Sequence, residues 1–125
     1  MVTIGVLEIT AVSGRNLKNC ETFSKQDPYL TYKLGESKAR TKTVRNGGTN
    51  PQFDDTVSLK VDNNGGLKLR VRAYDDDLIG KDTIGEAIID ITKAIQQGDF
   101  DAWFPIYNQN KVSGELYLEL TFKRH

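Results

Sequence analysis

Near its end the chain reads ELYLELTF, and every second residue there, Leu116, Leu118, Leu120 and Phe122, is apolar. A repeat of two is the period at which side chains alternate across a strand, so one face of this segment is built for burial and the other for water. The same alternation recurs in VLEITAV, where Leu7, Ile9 and Ala11 interleave with Glu8 and Thr10, and in LKLRVRA, where Leu67, Leu69, Val71 and Ala73 interleave with Lys68, Arg70 and Arg72. Turn-forming residues interrupt the pattern at intervals of about 8 to 12 residues. The reading predicts eight strands, over 5–12, 28–34, 39–45, 52–61, 67–75, 83–91, 102–107 and 114–123. Only DITKAIQQGDF suits a short helix, with Asp90 or Thr92 as its N-cap and Gly98 as its stop. No linker, low-complexity run or internal repeat divides the sequence, and 125 residues bury an ordinary core, so residues 1–125 are expected to form one domain. Eight half-buried antiparallel strands mean a two-sheet sandwich or a barrel.

Composition narrows the function classes. Seventeen basic and 17 acidic side chains cancel, so no overall field argues for nucleic acid, and any function rests on local charge. The single cysteine, Cys20, cannot form an intrachain disulfide. The opening MVTIGVLEIT has neither a charged lead-in nor a long apolar run, and a cytoplasmic location is expected. The one histidine is His125, no glycine-rich phosphate loop follows a strand, and the carboxylates are too crowded for a tuned acid–base couple. An enzyme is therefore not expected.

Strand parity organises the acidic residues. If successive strands run antiparallel, loops 19–27, 46–51, 75–83 and 108–113 share one end of the structure. Glu21 and Asp27 from the first, with Asp75, Asp76, Asp77 and Asp82 from the third, then gather on one rim. Hard oxygen donors without histidine or thiolate suit Ca²⁺; the plainer alternative is acidic surface loops. Asp75, Asp77, Gly80 and Glu86 also match positions 1, 3, 6 and 12 of an EF-hand, but the flanking segments alternate as strands where an EF-hand needs helices. A second feature is SKARTKTVR: Lys38, Arg40 and Lys42 fall at every second position and would share one strand face, where an anion or simply water would relieve their repulsion. Lys33 and Arg45 are placed to extend that patch.

The motifs GVLEITAVSGRNL, QDPYLTYKL, TNPQFDD, YDDD and IGEAIID, in that order, resemble those of the C2 domain family from about Ile4 to Phe122. The resemblance implies an all-β, eight-stranded antiparallel Greek-key β-sandwich. Because the GELYLEL strand comes last, it implies the circularly permuted type II arrangement, with both termini away from the calcium rim. It further implies metal ligation by Asp27, Asp75 and Asp77. Glu21 stands where the family has aspartate, and Asp82 comes one residue earlier than usual. Asp76 would offer its carbonyl rather than its carboxylate. The function implied is calcium-dependent binding of phosphatidylserine or phosphoinositide, by a monomer recruited peripherally to anionic membranes. Leu78 and Ile79 would enter the headgroup region with help from Phe23. Arg40 and Lys42 match basic residues of phosphoinositide-binding members, and Lys38 continues their row. The ending GDFDAWFPIYNQNKVSGELYLELTF is also similar to small fungal C2 proteins of the ingression type, which implies the alternative of a calcium-independent protein-interaction scaffold in cytokinesis; short plant stress-type C2 proteins are another close comparison.

Overall fold

The computed structural model describes residues 4–62, 66–77 and 80–125. The strands are β1 (Ile4–Arg15), β2 (Pro28–Leu34), β3 (Ser37–Arg40), β4 (Gln52–Asp62), β5 (Lys68–Asp77), β6 (Gly80–Asp90), β7 (Asp99–Asn108) and β8 (Lys111–Arg124), and a short helix, α1 (Thr92–Gln97), follows β6. Their order is β3-β2-β5-β6-β7-β8-β1-β4, antiparallel throughout. Between β6 and β7 the ladder shrinks to the single pair Glu86–Tyr107, so the strands fold over as two four-stranded layers. The alternating apolar residues meet between them: Leu7, Ile9, Leu30, Leu69, Val71, Ile84, Ile106, Leu116, Leu118 and Leu120 are all fully buried.

Several strands are longer than the alternation indicates. In β1 a bulge between Ala11 and Ser13 shifts the phase, and Ser13, Gly14 and Arg15 then pair with Tyr117, Leu116 and Glu115. A change of phase ends a period-two reading without ending the strand. At the β7–β8 turn Gln109 and Asn110 both have positive φ (52° and 66°), the backbone a two-residue hairpin needs, so β8 begins at Lys111. The segment 75–83, expected as a loop, is mostly ladder: Asp75 pairs with Asp82, Asp76 with Lys81 and Asp77 with Gly80. Leu78 and Ile79 lie outside the described residues.

One strand is shorter than expected. β3 ends at Arg40 because Thr41 turns its buried hydroxyl into the ladder, accepting the Leu30 N–H at 2.9 Å while its own N–H reaches the Leu30 carbonyl. That ends the alternation before Lys42. The helix starts at Thr92 with Ile91 as its N-cap, midway between the two predicted caps, one residue after Asp90 and one before Thr92. Asp90 Oδ1 accepts the Thr92 N–H (2.9 Å) and hydroxyl (2.5 Å), and α1 stops at Gly98 with φ 89°. These hydrogen bonds, with one from Lys68, pull the Asp90 carboxyl down to about 2. Ile4 and Arg124 sit at the end of the sandwich away from the β7–β8 turn, where the His125 N–H reaches the Ile4 carbonyl.

Candidate metal rim and cationic groove

The rim is assembled from three chain segments locked to one another. Gln26, fully buried, accepts the Cys20 N–H through Oε1 and donates through Nε2 to the carbonyls of Lys18 (2.9 Å) and Gly48 (3.0 Å). This one side chain fixes the β1–β2 loop against the β3–β4 loop, with every strong hydrogen-bonding group in use. The Asp27-Pro28-Tyr29 turn is tied to β5 on both sides: the Asp27 N–H donates to Asp75 Oδ1 (2.7 Å), and the Asp76 N–H to the Asp27 carbonyl (3.0 Å).

Asp75 is 1% exposed, and its Oδ2 meets no hydrogen-bond donor among the described residues. A buried acceptor without a donor costs about 1–3 kcal/mol, and with Glu21 ionised this oxygen is left short of a partner. In front of it, carboxylate oxygens of Glu21, Asp77 and Asp82 lie within 4.8 Å of one another. Hydrogen bonding of the protonated carboxyl to Asp75 pushes Glu21 up to about 6, with desolvation and the charges of Asp75 and Asp77 adding to it. Burial likewise raises the Cys20 thiol. The converging donors are all oxygens, and they are crowded enough to want a cation: the residues fit Ca²⁺. Asp27 lines a cavity of about 420 Å³ with Glu21, Asp76, Asp77, Lys25 and Arg45, but its oxygens are already engaged. Its Oδ1 accepts the Asn46 N–H (2.7 Å) and its Oδ2 pairs with Arg45 (3.3 Å).

The outer face of the β3-β2-β5-β6 layer carries a groove of about 480 Å³, walled by Lys33, Lys38, Arg40, Arg70, Arg72 and Lys81. Register explains the concentration: Lys33 stands opposite both Lys38 on β3 and Arg70 on β5. Like charges directly opposed destabilise a sheet. Among the described residues Glu86 is the acidic side chain that relieves them, pairing with Arg72 (2.9 Å) and Arg70 (3.4 Å). Arg40 Cζ sits 3.9 Å from the centroid of the Tyr29 ring, and the guanidinium donates to the Thr41 carbonyl and the Thr43 hydroxyl. Lys81 sits over Tyr74 at 4.3 Å.

Comparison with known proteins settles the family. The C2 domain family matches residues 5–106. The chain belongs to the C2 domain family. Synaptotagmin-5 of Arabidopsis thaliana is 31% identical over 121 residues, which is 96% of this chain but 21% of that protein, so the C2 chain spans about a fifth of this relative's length. Among solved structures, a "C2 domain-containing protein from putative elicitor-responsive gene" superposes with TM-score 0.82 at 23% identity, covering 98% of this chain and 90% of that one. A calcium-bound structure of two C2 domains of Extended-Synaptotagmin 2 superposes with TM-score 0.84 at 22% identity, covering 96% and 46%. These likenesses show the same β-sandwich.

Measured against the sequence reading, the C2 fold brings Glu21, Asp77 and Asp82 together with Asp75 behind them, and turns Asp27 toward the β3–β4 loop. The Asp76 carboxylate also faces that loop, with Arg45 and Thr43 as partners. Lys38 and Arg40 share the groove, but Lys42 does not line it. Beyond the end of β3, the Lys42 backbone is held by Asp55 Oδ2 (2.7 Å). Lys33 joins the groove as expected, whereas Arg45 goes to the rim. Phe23 is fully exposed in the β1–β2 loop. Sequence reasoning missed Gln26, the roles of Arg70 and Arg72, and Lys81. The alternation in LKLRVRA did put the two arginines on one strand face, but nothing in the sequence pairs β5 with β2.

Proposed function

We propose that this C2 domain, acting as a single module over residues 1–125, binds Ca²⁺ through Glu21, Asp27, Asp75, Asp77 and Asp82 and is drawn by it to anionic phospholipid. The observation that carries the reading is the buried Oδ2 of Asp75, without a donor among the described residues, behind three convergent carboxylates. Ca²⁺ held there supplies positive charge and open coordination positions for lipid phosphate oxygens. The chain's own part is to hold the carboxylates in place through Gln26 and the Asp27–Asp75 hydrogen bond, and to keep rim and groove on one rigid sandwich. A calcium-bound relative of the same fold supports the assignment.

Lys38 and Arg40, with Lys33, Arg70 and Arg72, form a second anion site suited to phosphoinositide, and Lys42 contributes from its edge. Leu78 and Ile79, between Asp77 and Gly80 in sequence, are assigned the apolar contact, with Phe23 beside them. In this reading the protein is a cytoplasmic monomer that becomes peripheral to membranes when calcium rises, and it catalyses nothing.

The test is a calorimetric calcium titration with and without phosphatidylserine vesicles. Saturable binding that tightens with vesicles supports the proposal. No heat at millimolar calcium in either arm would refute it and favour the protein-interaction scaffold.

A further inference from the structure

Arg45 is placed where a metal site has least use for a cation. It stands in the β3–β4 loop, and its guanidinium spans two carboxylates from different parts of the fold: Nη1 lies 3.3 Å from Asp27 Oδ2, and Nη2 lies 3.3 Å from Asp76 Oδ2. With Asn46 on its other oxygen, Asp27 has both oxygens occupied by the one loop. The Arg45 side chain is 68% exposed and touches each carboxylate through a single nitrogen, so these are displaceable contacts and not a buried, bidentate clamp. Lys25 lines the rim cavity that holds Glu21, Asp27, Arg45, Asp76 and Asp77, with no ion pair among the described residues.

We propose that Arg45 is the resident counter-ion of the rim and sets its calcium threshold: it neutralises Asp27 and Asp76 in the metal-free protein, and it must release Asp27 before that carboxylate can serve a metal. The inference rests on the calcium reading above. Because a guanidinium stays charged at any physiological pH, the competition depends on calcium and salt and not on protons. It also gives Asp76 a task that its position between two ligands leaves unexplained. As the Arg45 anchor on β5, it keeps the guanidinium beside the rim when Asp27 lets go.

Two readouts with opposite signs test this. Arg45→Gln should bind calcium about two- to tenfold more tightly by calorimetry, as expected from removing one or two exposed pairs. In chelator the same variant should melt below wild type, because Asp27 and Asp76 lose their cation. A merely structural arginine would lower stability and weaken calcium binding together. Arg45→Lys should stay near wild type in both, and Lys25→Gln should shift calcium affinity less than Arg45→Gln does. Raising potassium chloride to half-molar should shrink the difference between wild type and Arg45→Gln, since exposed pairs are screened. Wild type that binds calcium while Arg45→Gln binds it equally or more weakly overturns the counter-ion and leaves the calcium site standing. If neither protein binds calcium, the calcium reading fails and the threshold role falls with it.

Discussion

Replacing Asp75 with asparagine should stabilise the metal-free protein while destroying its response to calcium. The side chain is 1% exposed. Oδ1 accepts the Asp27 N–H at 2.7 Å, a bond that an asparagine carbonyl keeps. The Oδ2 position, without a donor among the described residues while Glu21 is ionised, would become an NH₂ group, and the Glu21 carboxylate beside Asp75 would exchange a repulsive neighbour for a hydrogen-bond donor. Relief of one unsatisfied buried acceptor is worth about 1–3 kcal/mol, and we take the lower part of that range, about 1–2 kcal/mol, because Glu21 is itself solvated. With about 2.1 cal/mol/K of unfolding entropy per residue, a chain of 125 residues gains roughly 4 °C per kcal/mol, so Tm should rise by about 4–8 °C. The assay is thermal melting by circular dichroism, in chelator and in millimolar calcium. Wild type should gain stability on adding calcium by mass action, and Asp75→Asn should start higher and not move. A variant that melts at or below wild type in chelator would show that the buried carboxylate carries no strain. One that still gains stability with calcium would remove Asp75 from the ligand set.

Three further expectations follow from particular contacts. Gly85→Ala would drive a Cβ into Ser113 Oγ and to 3.0 Å from Ile106 Cδ1, so it should cost about 1–3 kcal/mol through overpacking, visible as a lowered denaturation midpoint. Asp90 has a folded value of about 2 against an ordinary 3.8, so its contribution is present above about 4 and is lost as pH falls through 2; Asp90→Asn should lower Tm at pH 7 and converge on wild type near pH 2. On the cationic face, Lys38→Glu should weaken calcium-independent sedimentation with phosphoinositide vesicles by well over the ~1 kcal/mol of one lost lysine, because it also reverses a charge in the groove, whereas Lys42→Glu, outside the groove, should do less; equal losses would mean a diffuse field and not a site.

The sandwich was legible in the sequence because alternation reports burial directly: Leu116, Leu118, Leu120 and Phe122, like Leu7, Ile9 and Ala11, are all buried. Strand ends were less so. The bulge at Ala11–Ser13 and the hydroxyl of Thr41 change the phase or the pairing without changing the composition that a period-two reading follows. Loop parity placed the acidic rim, since it needs only the direction of each strand. It could not say which way Asp27 and Asp76 turn, because that is decided by Arg45 and Asn46, from a loop that in sequence is remote from both. Gln26 was invisible for the same reason. A glutamine reads as a surface residue until the two carbonyls that satisfy it, on Lys18 and Gly48, are known to be near.

A net charge of zero describes this chain poorly, because register sorts its charges. β2 lies between β3 and β5, so the basic residues of three strands share one outer face, with Glu86 bridging two of them. On the other layer Asp101 stands opposite Glu119, which in turn stands opposite Thr10. At the rim the two signs meet within one hairpin: Lys81 lies over Tyr74 at the edge of the groove, and the residues next to that pair, Asp75 and Asp82, belong to the carboxylate cluster. Groove and rim therefore meet on neighbouring residues of one hairpin, and charges that close stay coupled where salt screens more distant ones. The acidic rim weakens the pull of the groove on any anion, and any cation that neutralises the rim strengthens it. Arg45, set on the rim and not in the groove, performs part of that neutralisation within the chain itself. The β5–β6 hairpin thus links two surfaces of opposite charge electrostatically, without requiring either strand to move.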